Sequence, residues 1–378
     1  MGESEQTDEE NQSSRPVKVL MIAPTSFFSD YGGHIRIMEE AVALQNLGHQ
    51  IIVVTYYKGR DLPGIDIRRT APIPYRVDYE VGSSRHKVIF DIYLAIKSLR
   101  VAIKEQPDII HGHMHEGTLI GWVISVLLRK PLVFDFQGSL TAEMIDHNFL
   151  RHSSPFHRII RRTERFINQR PDVILTSSNR SHHSLHYEYR VPMERLHSLP
   201  DCVDTKKFNQ ENFSDVSKLE IRDRFDIGHD QFLVVYLGLL TDYQGIPYLL
   251  RAAKILKDKG ENIHFLIMGF PNVEKYSAHA AEMGLAQHTT FTGKIKYDDA
   301  PHLLSVGDIA ITAKISTTEG SGKMLNYMAL GLPTVAFDTF VHREYLGDAG
   351  VYVEPHDVQG LASAIADLAH QPQKRESL

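Results

Sequence analysis

Apolar residues first gather in VKVLMIA at positions 17–23, a near-continuous run of the kind that forms a strand buried on both faces of a parallel sheet. Turn formers fill 24–34 (PTSFFSDYGGH). IRIMEEAVALQNLG then takes up helical spacing and stops at Gly48, which suits a helix C-cap. HQIIVVTYY at 49–57 supplies the next strand, and the alternation continues through a helix at 84–105, a strand at 108–113, a helix at 116–128, and strands at 131–136 and 172–177. Alternation of this kind predicts a parallel sheet with helices on both faces.

The polar, turn-rich stretch LPDCVDTKKFNQENFSDVSK at 199–218 interrupts the pattern, so a linker is placed at about 200–218. It divides an amino-terminal unit, 17–204, from a carboxyl-terminal unit, 205–378, with residues 1–16 as an acidic tail outside the fold. QFLVVYLGLLTDYQGIPYLLRAAKILKDKG at 231–260 then repeats the opening plan of apolar strand, turn, glycine, amphipathic helix and glycine stop. Strands at 262–268, 289–292, 308–313 and 333–337 follow, with a helix at 322–330. The expected fold class is α/β, two Rossmann-like doubly wound parallel-sheet domains facing a cleft. A chain of 378 residues is long enough to need two cores. In open α/β sheets ligands bind outside the carboxyl ends of the strands, so the shared cleft is the expected site.

Composition narrows the partners more than the fold. With 42% hydrophobic and 23% charged residues the chain is ordinary for a globular protein, and a net charge of -6 gives no bulk attraction to nucleic acid. The single cysteine, Cys202, excludes an internal disulfide. The acidic start lacks a signal-peptide pattern, and no apolar run is long enough and charge-free enough to span a bilayer, so a cytoplasmic location is expected. Two basic segments leave a peripheral contact with the inner face of the membrane open. The helix at 84–105 carries Arg85, Lys87, Lys97, Arg100 and Lys104, and RHSSPFHRIIRRTERFINQR at 151–170 is a second cluster. Such helices either dock on anionic lipid or present a solvated basic face.

The densest chemistry lies in STTEGSGKMLNYMALGLPTVAFD at 316–338. After a strand come an acid, Glu319, the turn Gly320, Ser321 and Gly322, and a helix with Lys323 in its first turn. Exposed amides at a helix start favour a bound anion, and a lysine there works against the helix dipole by about 0.3 to 1 kcal/mol unless it meets negative charge. A diphosphate is the natural guest, and a solvent-directed lysine is the alternative. On the other lobe, Gly32 and Gly33 fall where this fold puts ligands, so without a Cβ they would let the chain approach a diphosphate closely.

EGSGKMLNYMALGLPTVAFD resembles the signature of family-four retaining glycosyltransferases of the GT-B fold. The amino-terminal glycine loop with its helix and second strand, DIIHGHMHEGTLIG, LPDCVDTKKF and FTGKIKYDDAPHLLSVGDIAI are similar to further segments of that family in the same order. The resemblance spans 17 to about 368 and implies transfer of a sugar from a UDP- or GDP-sugar, with retention and no further cofactor, to a glycan, lipid-linked or small-molecule acceptor. It implies that Glu319 faces the donor sugar and that Gly320, Ser321 and Gly322 hold its hydroxyls and phosphates. Lys323 and the helix start are expected to stabilise the leaving diphosphate.

Departures from the family pattern bear on the same sites. The second glutamate of the signature is missing, and Asn326 or Tyr327 stands near its place. In GLLTDYQG, Leu239 and Gln244 stand where the family has arginine and lysine, which leaves Lys323 expected to carry most of the neutralisation. Gln137 replaces the usual histidine after the strand at FDFQGSL and can orient a sugar but cannot act as a base. Asp135 lies two residues before it. His111, His113 and His115 alternate at a strand end, a spacing that invites a metal. The set is not read as a metal site, because the third lies past the strand and no clear carboxylate or cysteine completes it, although Asp135 and Glu116 are at hand. His113 is taken as a catalytic residue in contact with sugar or acceptor, His115 and Glu116, with Asp135 and Gln137, as acceptor-side residues, and Gln244 and Asn326 as donor-binding ones. The family usually continues into a final helix that crosses back to the first domain, so looser closure is expected here. A competing expectation is a nucleotide-sugar or carbohydrate-binding protein that kept the fold and lost turnover, motivated by Leu239, Gln244 and Asn326. A third is epimerisation of the donor.

Overall fold

The computed structural model describes residues 15–72, 87–146, 149–315 and 320–378. Seven parallel strands build the first sheet: β1 Lys18–Ala23, β2 Gln50–Thr55, β3 Asp66–Arg69, β4 Ile109–His113, β5 Leu132–Phe136, β6 Val173–Thr176 and β7 Leu196–Ser198, in the order β3-β2-β1-β4-β5-β6-β7. Six more form the second: β8 Phe232–Leu237, β9 Ile263–Met268, β10 Thr289–Gly293, β11 Ile309–Thr312, β12 Thr334–Phe337 and β13 Gly350–Val353, in the order β10-β9-β8-β11-β12-β13. Each order reverses direction at one place, beside β1 and β4 in the first sheet and beside β8 and β11 in the second. The loops leaving those four strands therefore frame the crevice in which such sheets bind ligands.

Burial explains the apolar runs. From Val19 to Ala23, β1 is enclosed on both faces: Ile37 and Ala41 of the helix Gly32–Asn46 join the cluster of Val19 and Met21, while Phe90, Leu94 and Val101 of the helix Lys87–Glu105 join that of Leu20 and Ile22. Central parallel strands need apolar side chains on both sides, and β1 and β8 supply them. Edge strands do not, which is why β3 (DIRR) and β7 (LHS) carry no apolar run and fall outside the predicted strands.

Some predicted boundaries shift. The helix expected at 116–128 starts at Met114, so His115 and Glu116 sit in its first turn. The helix expected from 84 is described from Lys87, and Arg85 lies outside the described residues. Part of the segment read as linker is helical, Asp215–Arg224, and buries Ile221 in the apolar cluster beside Phe208 and Leu233. Gly245 lets the loop after β8 lie against the end of β11. It has φ +86, and a Cβ there would stand 2.0 Å from the Ala313 carbonyl oxygen, so no other residue fits without moving that loop. No helix among the described residues is long and apolar enough to cross a membrane.

Candidate active site

The carboxyl ends of the two sheets face each other across a cleft of about 310 Å³. On the second lobe it is lined by Gly320, Ser321 and Gly322 with Lys314, Lys323 and Asn326, and on the first by the loop and helix start from Asp30 to Arg36. Lys323 Nζ donates to Gln244 Oε1 at 2.8 Å and lies 4.5 Å from the centre of the Tyr236 ring. Burial raises the Tyr236 phenol well above its usual value, so the lysine meets a neutral ring. Gln244, which replaces a cation in the family pattern, thus steadies the one that remains in the helix. Lys314, only 2% exposed, donates to the Gly320 carbonyl at 2.9 Å and holds the glycine turn from behind. Ser321 Oγ is buried with no hydrogen-bond partner among the described residues, and Asn326 is buried beside it. Glu319 lies outside the described residues.

Lys87, Lys314 and Arg36 also line the cleft beside Lys323, Arg36 already paired with Asp135 and Asp201. Lys314 directly follows the strand predicted at 308–313, so the rule that strand ends face the ligand points to it. Arg36 gives no such signal, because a buried arginine inside an amphipathic helix reads as an ordinary polar position.

The first lobe also departs from expectation. Gly32 faces open space, but a Cβ on Gly33 would stand 2.5 Å from Gln137 Oε1. Gly33 therefore makes room for Gln137 and not directly for a ligand. Gln137 donates in turn to Asp135 Oδ2 at 2.7 Å. Asp135 and His113 are fully buried and do not line the cleft, so neither is positioned as a direct sugar contact. Both side chains lie on the sheet face covered by the helix Gly32–Asn46, where Arg36 Nε donates to Asp135 Oδ1 at 2.8 Å and the His113 Nδ1 stands 3.0 Å from Oδ2. Burial opposes the Asp135 charge, but the Arg36 guanidinium and the His113 ring hold its carboxyl well below the ordinary range. These two residues position Arg36 and Gln137.

His115 does reach the cleft, but its Nε2 is 3.1 Å from Asn168 Oδ1 and burial lowers its pKa, which leaves it neutral. Glu116 also lines the cleft. Burial works against its charge, and Lys87 Nζ at 2.5 Å more than offsets this and holds the carboxyl below its usual value.

Two acids tie the lobes together at the rim. Asp30 accepts from Arg60 at 2.8 Å and from the Tyr297 backbone N–H of the second lobe at 3.0 Å. Asp201 accepts from Arg36 at 3.1 Å and from the Tyr345 hydroxyl at 3.0 Å. The turn lies directly on Asp201, since a Cβ on Gly320 would come within 2.8 Å of its Oδ2. Asp30, Glu116 and Asp201 are thus each engaged by a cation.

Comparison with known proteins decides the family. The model of Glycosyltransferase Family 4 matches residues 32–207, and that of Glycosyl transferases group 1 matches residues 217–378. The chain is a family-four glycosyltransferase of the GT-B fold. It is 25% identical over 367 residues to the alpha-D-kanosaminyltransferase of Streptomyces kanamyceticus, covering 91% of each chain. Its fold is similar to that of sucrose-phosphate synthase from Thermosynechococcus elongatus, at a TM-score of 0.77 and 16% identity, covering 96% of this chain and 92% of that one. It is also similar to Anabaena HepE in complex with UDP-glucose, at a TM-score of 0.74 and 16% identity, covering 95% and 91%.

In this glycosyltransferase His34 lies on the cleft wall as a neutral ring. Ser29 N–H donates to its Nδ1 at 3.2 Å, so Nε2 carries the proton and donates to Thr25 Oγ1 at 2.6 Å. Burial, aided by Lys294, lowers its pKa to about 3. A folded-state value below the unfolded one means that the unfolded chain takes up a proton first as pH falls. Stability is therefore lost from about pH 6.5 downward, by about 1.4 kcal/mol per pH unit for each such group. Urea midpoints followed from pH 7 to pH 5 are expected to fall, and His34→Gln to flatten that dependence by about one proton. An unchanged slope in the variant would show that His34 takes up its proton equally in the folded and unfolded chain.

Proposed function

We propose that this glycosyltransferase moves a sugar from a UDP- or GDP-sugar, with retention at the anomeric carbon, to a lipid-linked, glycan or small-molecule acceptor. One observation carries the reading: Lys314 and Lys323, on either side of the Gly320–Gly322 turn in sequence, line one cleft with that turn and with Gly32, whose backbone meets open space. Two cations and a turn without side-chain bulk suit the diphosphate of a donor whose leaving group gains negative charge. Ser321 Oγ, buried with no hydrogen-bond partner among the described residues, and the buried Asn326 amide can take donor hydroxyls. Glu319, by family resemblance, faces the donor sugar. Retention is what the family resemblance implies; with Asp30, Glu116 and Asp201 each engaged by a cation, none of these three is poised for a double displacement, so the retaining route proposed is same-face attack assisted by the leaving phosphate. Gln137, His115 and Glu116 belong to the acceptor side.

A lipid surface fits the acceptor side. On the helix Lys87–Glu105, Ile89, Ile92, Ile96 and Ile103 are exposed, opposite the face that buries Phe90, Leu94 and Val101. The helix Met114–Leu128 beside it exposes Val123, Val126 and Leu127, and the helix Phe156–Asn168 exposes Phe156 and Ile159 among Arg158, Arg161 and Arg162. Apolar side chains ringed by Lys and Arg suit the boundary of an anionic bilayer better than water.

The test is a panel of nucleotide sugars, scored for nucleoside diphosphate release with acceptors offered in solution and in anionic vesicles. Release with one donor, raised by vesicles that sediment with the protein, is expected. Binding without release would favour a protein that has lost turnover, and a free epimerised sugar without acceptor would favour epimerisation.

A further inference from the structure

The helix Gly32–Asn46 carries Glu40 to the two histidines that β4 turns toward it, His111 and His113. Alternate positions on a strand share a face, and the two rings lie with centroids 4.4 Å apart at 30°. His111 and His113 are 4% and 0% exposed, and each leaves its Nε2 buried with no hydrogen bond among the described residues. Both Glu40 carboxylate oxygens are buried in the same condition, although Oε1 lies 3.2 Å from Arg36 Nε. One ring nitrogen of each histidine and one Glu40 carboxylate oxygen lie within 4.8 Å of one another, and Glu40 Oε2 is 3.7 Å from His111 Nε2. Buried polar atoms are normally satisfied, so several unsatisfied ones converging on one point call for a shared partner.

Two further features say what that partner is. Asp135, paired with Arg36 at 2.8 Å, accepts from His113 Nδ1 at 3.0 Å. The ring proton is thereby committed to Asp135, and the Nε2 lone pair faces the cluster, as in metal-ligating histidines that are backed by a carboxylate. Charge points the same way. Fully ionised, Glu40, Asp135 and Asp201 outnumber Arg36 by two. A divalent cation among them balances that excess.

We propose that Glu40, His111 and His113 bind one divalent transition metal ion, with Zn²⁺ the first candidate, and that the ion pins the helix Gly32–Asn46 to β4. Two imidazoles and one carboxylate suit Zn²⁺ and its neighbours and not Mg²⁺ or Ca²⁺, and water completes the set. The side chains rotate inward when the ion enters, since ligand atoms about 2.1 Å from a tetrahedral centre stand closer together than these do. The ion sits behind the cleft wall, so its role is to fix the helix that presents Gly32 and Arg36 to the cleft. His115 takes no part. It is bound to Asn168, and the ligand that sequence spacing could not supply comes from another element.

The test uses the full chain stripped with EDTA and titrated with Co²⁺, whose visible absorption is intense only in four-coordinate sites. One equivalent of four-coordinate Co²⁺, displaced by Zn²⁺ and accompanied by a rise in Tm, is expected. Glu40→Gln and His111→Gln, each checked for fold by circular dichroism, are expected to weaken binding at least tenfold and to erase the intense bands. The controls matter because the chain has 21 histidines. Absence of a stoichiometric four-coordinate ion in the wild-type protein overturns the proposal even if neither variant folds. So does a spectrum that survives both substitutions.

Discussion

Lys323→Ala is expected to weaken binding of a nucleoside diphosphate by about ten- to a hundredfold in calorimetry, with the melting temperature little changed. The magnitude follows from one charge-assisted hydrogen bond, about 1.5 to 3 kcal/mol, in a partly dry cleft. The Lys323 ammonium stands between Gln244 Oε1 and the Tyr236 ring, so it is already aimed before a ligand arrives and little ordering entropy is lost on binding. Loss of the side chain leaves Gln244 near the cleft surface, where water can replace its partner, and the fold is spared. Lys314→Ala is expected to act comparably on affinity and to cost stability as well, because Lys314 also supports the Gly320 carbonyl. The double variant should lose less than the sum of the two, since both cations meet the same diphosphate. Unchanged affinity in both single variants would remove the diphosphate from this turn.

What could be read from the sequence follows the physics of each element. Strands β1, β2, β8, β9 and β11 announce themselves because both faces are covered, and apolar runs of this kind have few other uses. The edge strands β3 and β7 and the late strand β13 do not, because pairing on one side or partial exposure asks little of their side chains. In the site, the glycine turn and Lys323 were legible as a motif within one stretch of chain. Arg36, Lys314 and Glu40 were not part of any motif, since their importance comes from which side chains other elements bring beside them. The placement of His113 failed for a related reason. Period two shows that His111 and His113 share a face, but only the packed helix reveals that this face lies under Arg36 and Glu40 and is not open to the cleft.

Asp135→Ala is expected to lower the free energy of unfolding by about 3 to 5 kcal/mol, the range for breaking a buried ion pair from one side. Asp135 is fully buried and collects Arg36, His113 and Gln137, so its removal leaves a guanidinium with less compensation and releases two further donors. Arg36 keeps Asp201 and the nearby Glu40, which places the loss toward the lower end. Gln137 also loses its anchor beside Gly33, so the floor of the acceptor side should loosen and turnover should fall with stability. The pH dependence separates this loss from that of the buried histidines. Because the folded-state pKa of Asp135 is depressed, its stabilisation is complete above the ordinary carboxylate value near 3.9 and is lost only as pH falls through the lower folded value. Measured in a Glu40→Gln background, which removes the neighbouring carboxyl that Asp135 perturbs, chemical denaturation should therefore give the same gap with and without Asp135→Ala at every pH from 8 to 5. A gap that closes over that interval would mean that the Asp135 carboxyl is protonated in the folded protein.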